Sequence, residues 1–352
     1  MLEVNGFNIF QILIVTFLTS VILVPISKRV AKHIGALDYP NERKVHKRVM
    51  PRLGGLAIYG AFLVGYILYG SNTPQMLSIL IGSFIIIIMG MLDDISPLKA
   101  RYKLIVQIIS SIIVVFYGKI FITEISVLGY YMNIPAPFNY ALSCLIIVAL
   151  INAINLMDGL DGMASGISTI YFLTIAIVAF ILNRFGGLDI ILAVIMLGAT
   201  LGFLVFNFPP ASIFMGDTGS NFLGFMIAVI SLLGFKVTTF TSMIIPFVIL
   251  ALPIFDTMVS IIRRVLKGQG IAEPDREHFH HQLLKMKFSP KTSVLIIYLI
   301  NILFATVSIF YVLGDNELAI ILYVLLMILL LFIVLKTDIL FDHKKRGSSD
   351  EK

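Results

Sequence analysis

What most constrains this chain is a succession of apolar runs, each about as long as a bilayer is thick, parted by short polar loops. A helix needs roughly 20 predominantly apolar residues to cross the hydrocarbon core, where every backbone polar group must be satisfied internally. The runs fall at 7–26, 53–70, 76–92, 103–120, 138–153, 163–182, 188–206, 219–235, 241–262, 293–312 and 317–336. They predict an all-α polytopic membrane protein with about eleven transmembrane helices. With 59% hydrophobic and 13% charged residues and a mean hydropathy of +1.00, a soluble domain is excluded. Outer-membrane barrels are excluded too, because their strands are short alternating segments. The single cysteine, Cys144, rules out an internal disulfide and reads as a small buried apolar residue. No basic region precedes residues 7–26 and no small-residue cleavage site follows, so this run reads as a retained first span. The expected organisation is one integral membrane domain, 1–340, with a basic polar tail, 341–352.

All but Lys119, Arg184 and Lys236 of the 26 lysines and arginines fall in alternate loops and in the tail. By the positive-inside rule that side is cytoplasmic, which places the N-terminus outside and the C-terminus inside. Most of these cations serve only to set topology. Lys44 is singled out because NERKVHKR belongs to a longer polar loop ending at Pro51, Arg52 and the pair Gly54-Gly55, a loop able to close over an anionic substrate.

The same face collects the acids. Asp93 and Asp94 end the third run, and their mutual repulsion calls for Lys99, Arg101, Lys103 or a divalent metal nearby. Ser96 and Pro97 read as the N-cap and first residue of a new helix. The stretch NAINLMDGLDGMAS places Asn152, Asn155, Asp158 and Asp161 three residues apart, a spacing that keeps side chains near one helix face so that they can converge on one ligand. In FMGDTGS, Asp217 sits at an expected helix N-terminus, where free backbone N–H groups suit a phosphate and the carboxylate suits magnesium. Phe214 reads as an interfacial anchor or as a base-stacking platform. In the longest loop, EPDREHFHHQLLKM brings Arg276, His278, His280 and His281 together; the spacing does not match a zinc helix and favours contact with phosphate or sugar hydroxyls. Asp256 precedes Arg263 by seven residues, so it lies about 10 Å inside the membrane boundary. It is either functional or hydrogen-bonded to a neighbouring span.

Taken together and in order, DD, NxxNxxDGxDG, FMGDTGS and HxHH resemble the polyprenyl-phosphate N-acetylhexosamine-1-phosphate transferases, of glycosyltransferase 4 type. The DRxHxHH form is similar to the GlcNAc-1-phosphate branch of WecA/TagO type, while the MurNAc-pentapeptide branch carries three adjacent histidines. The resemblance implies UDP-GlcNAc and undecaprenyl phosphate as substrates, lipid-linked GlcNAc pyrophosphate and UMP as products, and Mg2+ or Mn2+ as cofactor. It implies an active site at the cytoplasmic face of a bacterial cell membrane, at the start of a cell-surface polymer pathway, wall teichoic acid by composition. Membrane lipids and a second copy of the chain are the other expected partners; nucleic acid is not. By matching motifs, Asp217 ligates the metal, and Asn152, Asn155, Asp158 and Asp161 line the nucleotide pocket with Phe214 on the uracil and Lys44 or Lys103 near the phosphates. His278, His280, His281 and Arg276 bind the sugar-phosphate end, and Asp93 and Asp94 face the lipid phosphate. Two readings compete with this one. The MurNAc-pentapeptide transferase lacks its histidine run here, and a secondary transporter would put its acids near the midplane, where only Asp256 is deep.

Overall fold

The computed structural model describes residues 3–4, 6–40, 48–127, 130–182, 187–235, 244–266, 268 and 277–336, so Lys44 and Arg276 lie outside the described residues. Thirteen helices are described: α1 (Ile9–Ile34), α2 (Gly54–Tyr69), α3 (Pro74–Ile95), α4 (Ala100–Ile112, continued by one π-helical turn Ile113–Tyr117), α5 (Phe138–Leu156), α6 (Met163–Ile181), α7 (Leu188–Asn207), α8 (Gly216–Phe235), α9 (Ile244–Ile249), α10 (Ala251–Leu266), α11 (Phe279–Lys285), α12 (Pro290–Val312) and α13 (Asn316–Lys336). Among the described residues the only β-structure is three two-stranded antiparallel hairpins. One of them pairs Leu37 with Pro51 and Asp38 with Met50, folding the loop after α1 back on itself.

Nine of the helices are long and apolar enough to cross a membrane. Of the two remaining expected spans, α2 is apolar but only 16 residues long, and the run expected as a single span over 241–262 is broken at Leu250 into α9 and α10. The break has a local cause: Pro253 has no N–H to return to the preceding turn, and its ring crowds the carbonyl four residues back. Helix starts follow the sequence closely. Asn8, Thr73 and Ser289 each accept a backbone N–H from the first turn of α1, α3 and α12, and Pro74 and Pro290 occupy first positions where no N–H is needed. The start expected at Ser96 and Pro97 is not made. Residues 96–99 stay non-helical and α4 begins at Ala100, because the Leu98 N–H is drawn to Asp93 Oδ1 at 2.7 Å.

The axis of the bundle is α8, almost wholly buried and surrounded by α2, α3, α5, α6 and α7. Outward-facing Phe10, Ile14, Leu18 and Ile22 on α1 and Ile321, Leu325, Ile328 and Phe332 on α13 form the apolar surface that lipid would cover. The neighbours of α8 approach its first two turns through glycine. A methyl group on Gly55 of α2 would collide with the Gly219 backbone nitrogen, and one on Gly90 of α3 would collide with Thr218 Cα. These contacts set the ends of α2, α3 and α8 against one another on one face of the bundle.

Candidate active site

The face that holds the start of α8 also holds the ends of α3 and α5 and the starts of α2, α4 and α6. Lys103, on the first turn of α4, donates to Asp93 Oδ2 at 2.7 Å and to Asp217 Oδ2 at 2.6 Å, so one ammonium bridges two carboxylates from different helices. Asp94 points elsewhere. Its Oδ1 accepts the Asp217 N–H at 2.9 Å, and its Oδ2 accepts the Thr218 N–H at 3.0 Å and the Thr218 hydroxyl at 2.7 Å. Asp94 therefore caps α8 from a neighbouring helix, satisfying N–H groups that a helix start leaves open. The sequence-based expectation that these donors are free for a phosphate is corrected, since a buried carboxylate already takes the Asp217 and Thr218 N–H groups. Arg52 completes the cluster, with Nη2 3.4 Å from Asp94 Oδ1 and 3.8 Å from Asp217 Oδ1. The acid pair is thus neutralised by Lys103 on one side and by Arg52 and the α8 terminus on the other; Arg101 instead donates to Tyr102.

Three of the four polar residues of NAINLMDGLDG are each bonded to a different neighbour. Asn152 donates to Gln107 Oε1 at 2.7 Å, Asn155 to Ser220 Oγ at 2.8 Å, and Asp161 Oδ2 accepts the Ala211 N–H at 2.9 Å. The helix ends at Leu156, so the three-residue spacing stops tracking a face midway through the motif. Asn152, Asn155 and Asp161 thus fasten the stretch to α4, to α8 and to the loop before α8. Asp158, in the turn, is the member nearest in charge to the cluster. Burial pushes its carboxyl up to about 7, helped by the negative charges of Asp217 and Asp94 and opposed by Arg52. An acid whose folded pKa exceeds its unfolded value of about 3.9 binds more protons when folded between those limits, so its contribution to stability declines as pH rises from about 4 to 7. The melting temperature is accordingly expected to fall from pH 5 to pH 8, and to fall less in Asp158→Asn; an identical slope in the variant would remove Asp158 as the cause.

Phe214 is part-buried, and its backbone is bonded on both sides to the α2 approach: its N–H to Pro51 O at 2.8 Å, its carbonyl to Gly54 N at 2.9 Å. The three histidines form a stack. His278 and His280 lie 5.9 Å apart and nearly parallel, and His281 tilts onto His280 at 4.1 Å. His280 sits so close above Gly159 that a side chain there would strike its ring, which brings α11 onto the Asp158-Gly159 turn. Burial, reinforced by the neighbouring imidazoles His281 and His278, lowers the His280 pKa well below the usual range. Burial and then His278 lower His281 as well. Asp256 is bonded to His278 rather than to a neighbouring span.

Arg52, Gln107 and Asn221 were not among the candidate site residues of the sequence. Gln107 accepts from Asn152 and donates to Asn221 Oδ1 at 3.2 Å, and Asn221 donates to the Asp217 carbonyl at 2.8 Å. This relay ties the end of α5 to the first turn of α8. Its signal was available: Gln107 follows Lys103 by four, and Asn221 follows Asp217 by four, placing each pair on one helix face.

A divalent cation can be tested against this donor set. Among the described residues, no three His, Cys, Asp or Glu side chains are grouped so as to hold an ion by themselves. Asp93 and Asp217 do already converge on one cationic group, Lys103. All-oxygen donors, at most two from protein, fit a magnesium-type ion that completes its shell with substrate phosphates and water.

The model of glycosyl transferase family 4 matches residues 76–235. The chain is 45% identical over 314 residues to a probable undecaprenyl-phosphate N-acetylglucosaminyl 1-phosphate transferase of Bacillus subtilis (strain 168), covering 87% of this chain and 85% of that one. It is 32% identical to a decaprenyl-phosphate N-acetylglucosaminephosphotransferase of Mycobacterium tuberculosis (77% and 74% covered). It is 28% identical to an undecaprenyl-phosphate alpha-N-acetylglucosaminyl 1-phosphate transferase of Escherichia coli (strain K12) (84% and 82% covered).

Proposed function

Because this chain belongs to glycosyl transferase family 4, we propose that it transfers GlcNAc-1-phosphate from UDP-GlcNAc to undecaprenyl phosphate, giving undecaprenyl-pyrophosphoryl-GlcNAc and UMP. At the coarser level it is a phospho-N-acetylglucosaminyl transferase and a multi-pass bacterial membrane protein. The observation that carries the finer reading is the Asp93–Lys103–Asp217 bridge with Arg52 beside it. Phosphoryl transfer needs charge neutralisation and in-line positioning more than it needs a covalent partner, and here two cations and two acids from three helices and the loop before α2 meet at one point.

The lipid phosphate is a monoester whose second pKa lies near 6, so it arrives with a nucleophilic oxygen at neutral pH. In direct displacement that oxygen bonds to the sugar-linked phosphorus while the pyrophosphate bridge bond breaks, its electron pair leaving with UMP. Lys103 and Arg52 hold and neutralise the phosphates, Asp217 and Asp93 would hold Mg2+ or Mn2+, and that ion when bound supplies further charge neutralisation. The positive-inside pattern supports a cytoplasmic site, and the Ile- and Lys-rich composition is what points to wall teichoic acid as the polymer begun here. The deciding assay is purified protein with UDP-GlcNAc, undecaprenyl phosphate and Mg2+, followed for lipid-linked GlcNAc and UMP. No product from this pair would sink the proposal, and a phospho-enzyme trapped without lipid acceptor would sink direct displacement.

A further inference from the structure

One buried acid has no part in that scheme. Asp256, 4% exposed, lies on the inward face of α10 with Val259, Ser260 and Arg263, while Met258, Ile262 and Val265 face outward. Its Oδ2 is 2.8 Å from His278 Nδ1, and its Oδ1 accepts the Phe279 N–H at 2.8 Å. Arg263 Nη1 adds a bond to the Glu277 carbonyl at 3.0 Å, so α10 grips three consecutive residues at the start of α11. His278 is the N-cap residue of α11 but makes no cap bond with its own side chain; Asp256 makes it instead.

A carboxylate only accepts hydrogen bonds, so in this contact Nδ1 carries the proton and Nε2 is the nitrogen turned to the opposite edge of the ring. The plane of the ring is held as well, because His278 lies parallel to His280. His280 in turn is 2% exposed, pressed on Gly159, and neither of its ring nitrogens has a hydrogen-bond partner among the described residues. The stack is thus held at one end by a hydrogen-bonded acid and in the middle by packing alone.

We propose that Asp256 is a positioning residue, which sets the tautomer and plane of His278 so that Nε2 addresses the sugar-phosphate part of the donor. This rests on the transferase reading above. Asp256→Asn separates positioning from simple capping. An amide offers one acceptor to two donors, so whichever way it turns, either Nδ1–H or the Phe279 N–H faces an NH2 group. Wrong-tautomer variants of acid-histidine pairs lose rate rather than binding.

The experiment measures UMP release for Asp256→Asn, His278→Gln and the double variant. Each single change is expected to lower kcat about 100-fold with the KM for UDP-GlcNAc within about threefold, and the double variant is expected to be no slower than the slower single. Losses that multiply in the double variant, or an Asp256→Asn enzyme with full kcat, overturn the proposal. The melting temperature of Asp256→Asn guards against misfolding, since asparagine keeps the size and shape of the side chain. A kcat loss at an unchanged melting temperature supports positioning, whereas a lower melting temperature with full kcat per folded molecule overturns it. Wild-type protein that makes no lipid-linked GlcNAc overturns the transferase reading and this one together, while wild-type turnover with an undiminished Asp256→Asn overturns this one alone.

Discussion

Asp217→Asn is expected to abolish transfer, with UMP release falling about 10^3-fold or more while the bundle stays folded. Removing one preorganised group from a charge-stabilising site costs about 10^2 to 10^3 in rate, and Asp217 contributes to more than one part of the site. It shares Lys103 with Asp93, faces Arg52, and sits at the start of the central helix. Asparagine keeps the shape and removes the charge, so Lys103 is left to Asp93 and the pair no longer meets a phosphate-bound cation together. The stability cost should be small, because what is lost is one acid in a first helical turn, about 0.3–1 kcal/mol, and one part-exposed ion pair. The measurements are UMP release under saturating UDP-GlcNAc and the melting temperature in detergent. A variant that keeps activity within tenfold of wild type would remove Asp217 from the site.

Asp94→Ala should behave differently, losing stability and activity together. Asp94 is buried and accepts three hydrogen bonds at the start of α8, so alanine leaves the Asp217 N–H, the Thr218 N–H and the Thr218 hydroxyl unpaired. Loss of a helix cap costs about 1 kcal/mol, and leaving the buried donors unpaired adds about 2 kcal/mol, while Arg52, 29% exposed, keeps Asp38 at 3.7 Å and Asp217 at 3.8 Å. A total of about 3 kcal/mol should lower the melting temperature by several degrees. Transfer should fall as well, because the frame that aims Asp217 is gone. Asp94→Asn should be intermediate, retaining one acceptor. If Asp94→Ala lost activity at an unchanged melting temperature, Asp94 would be a chemical group rather than a cap, and the division of labour between the two neighbouring aspartates would be wrong.

Much of the site was legible because its residues are the polar breaks in an apolar chain. Asp93, Asp217 and Lys103 were recognisable one by one, and the common face followed from counting spans. The turn at Asp158 and the histidine stack meet through Gly159 and His280, a contact that spacing cannot reveal since the two segments are about 120 residues apart. Gln107 and Asn221 were legible in principle by their four-residue offsets, yet an amide in an apolar helix carries no sign of what it bonds to. The start expected at Ser96 and Pro97 failed for a comparable reason: local capping chemistry was outweighed by a carboxylate already placed by α3.

Hydropathy and motif order alone determined that the chain is a membrane-embedded helical protein and that its acids gather at one end, because both depend on which residues follow one another. Only the tertiary structure decided what each acid does. Successive residues on a helix point about 100° apart, so Asp93 and Asp94, adjacent in the chain, meet different neighbours: one turns to Lys103, the other to the open N–H groups of α8. That assignment depends on where α8 begins relative to α3, which is set by the close approach of Gly90 to Thr218 and has no counterpart in the local sequence of either helix.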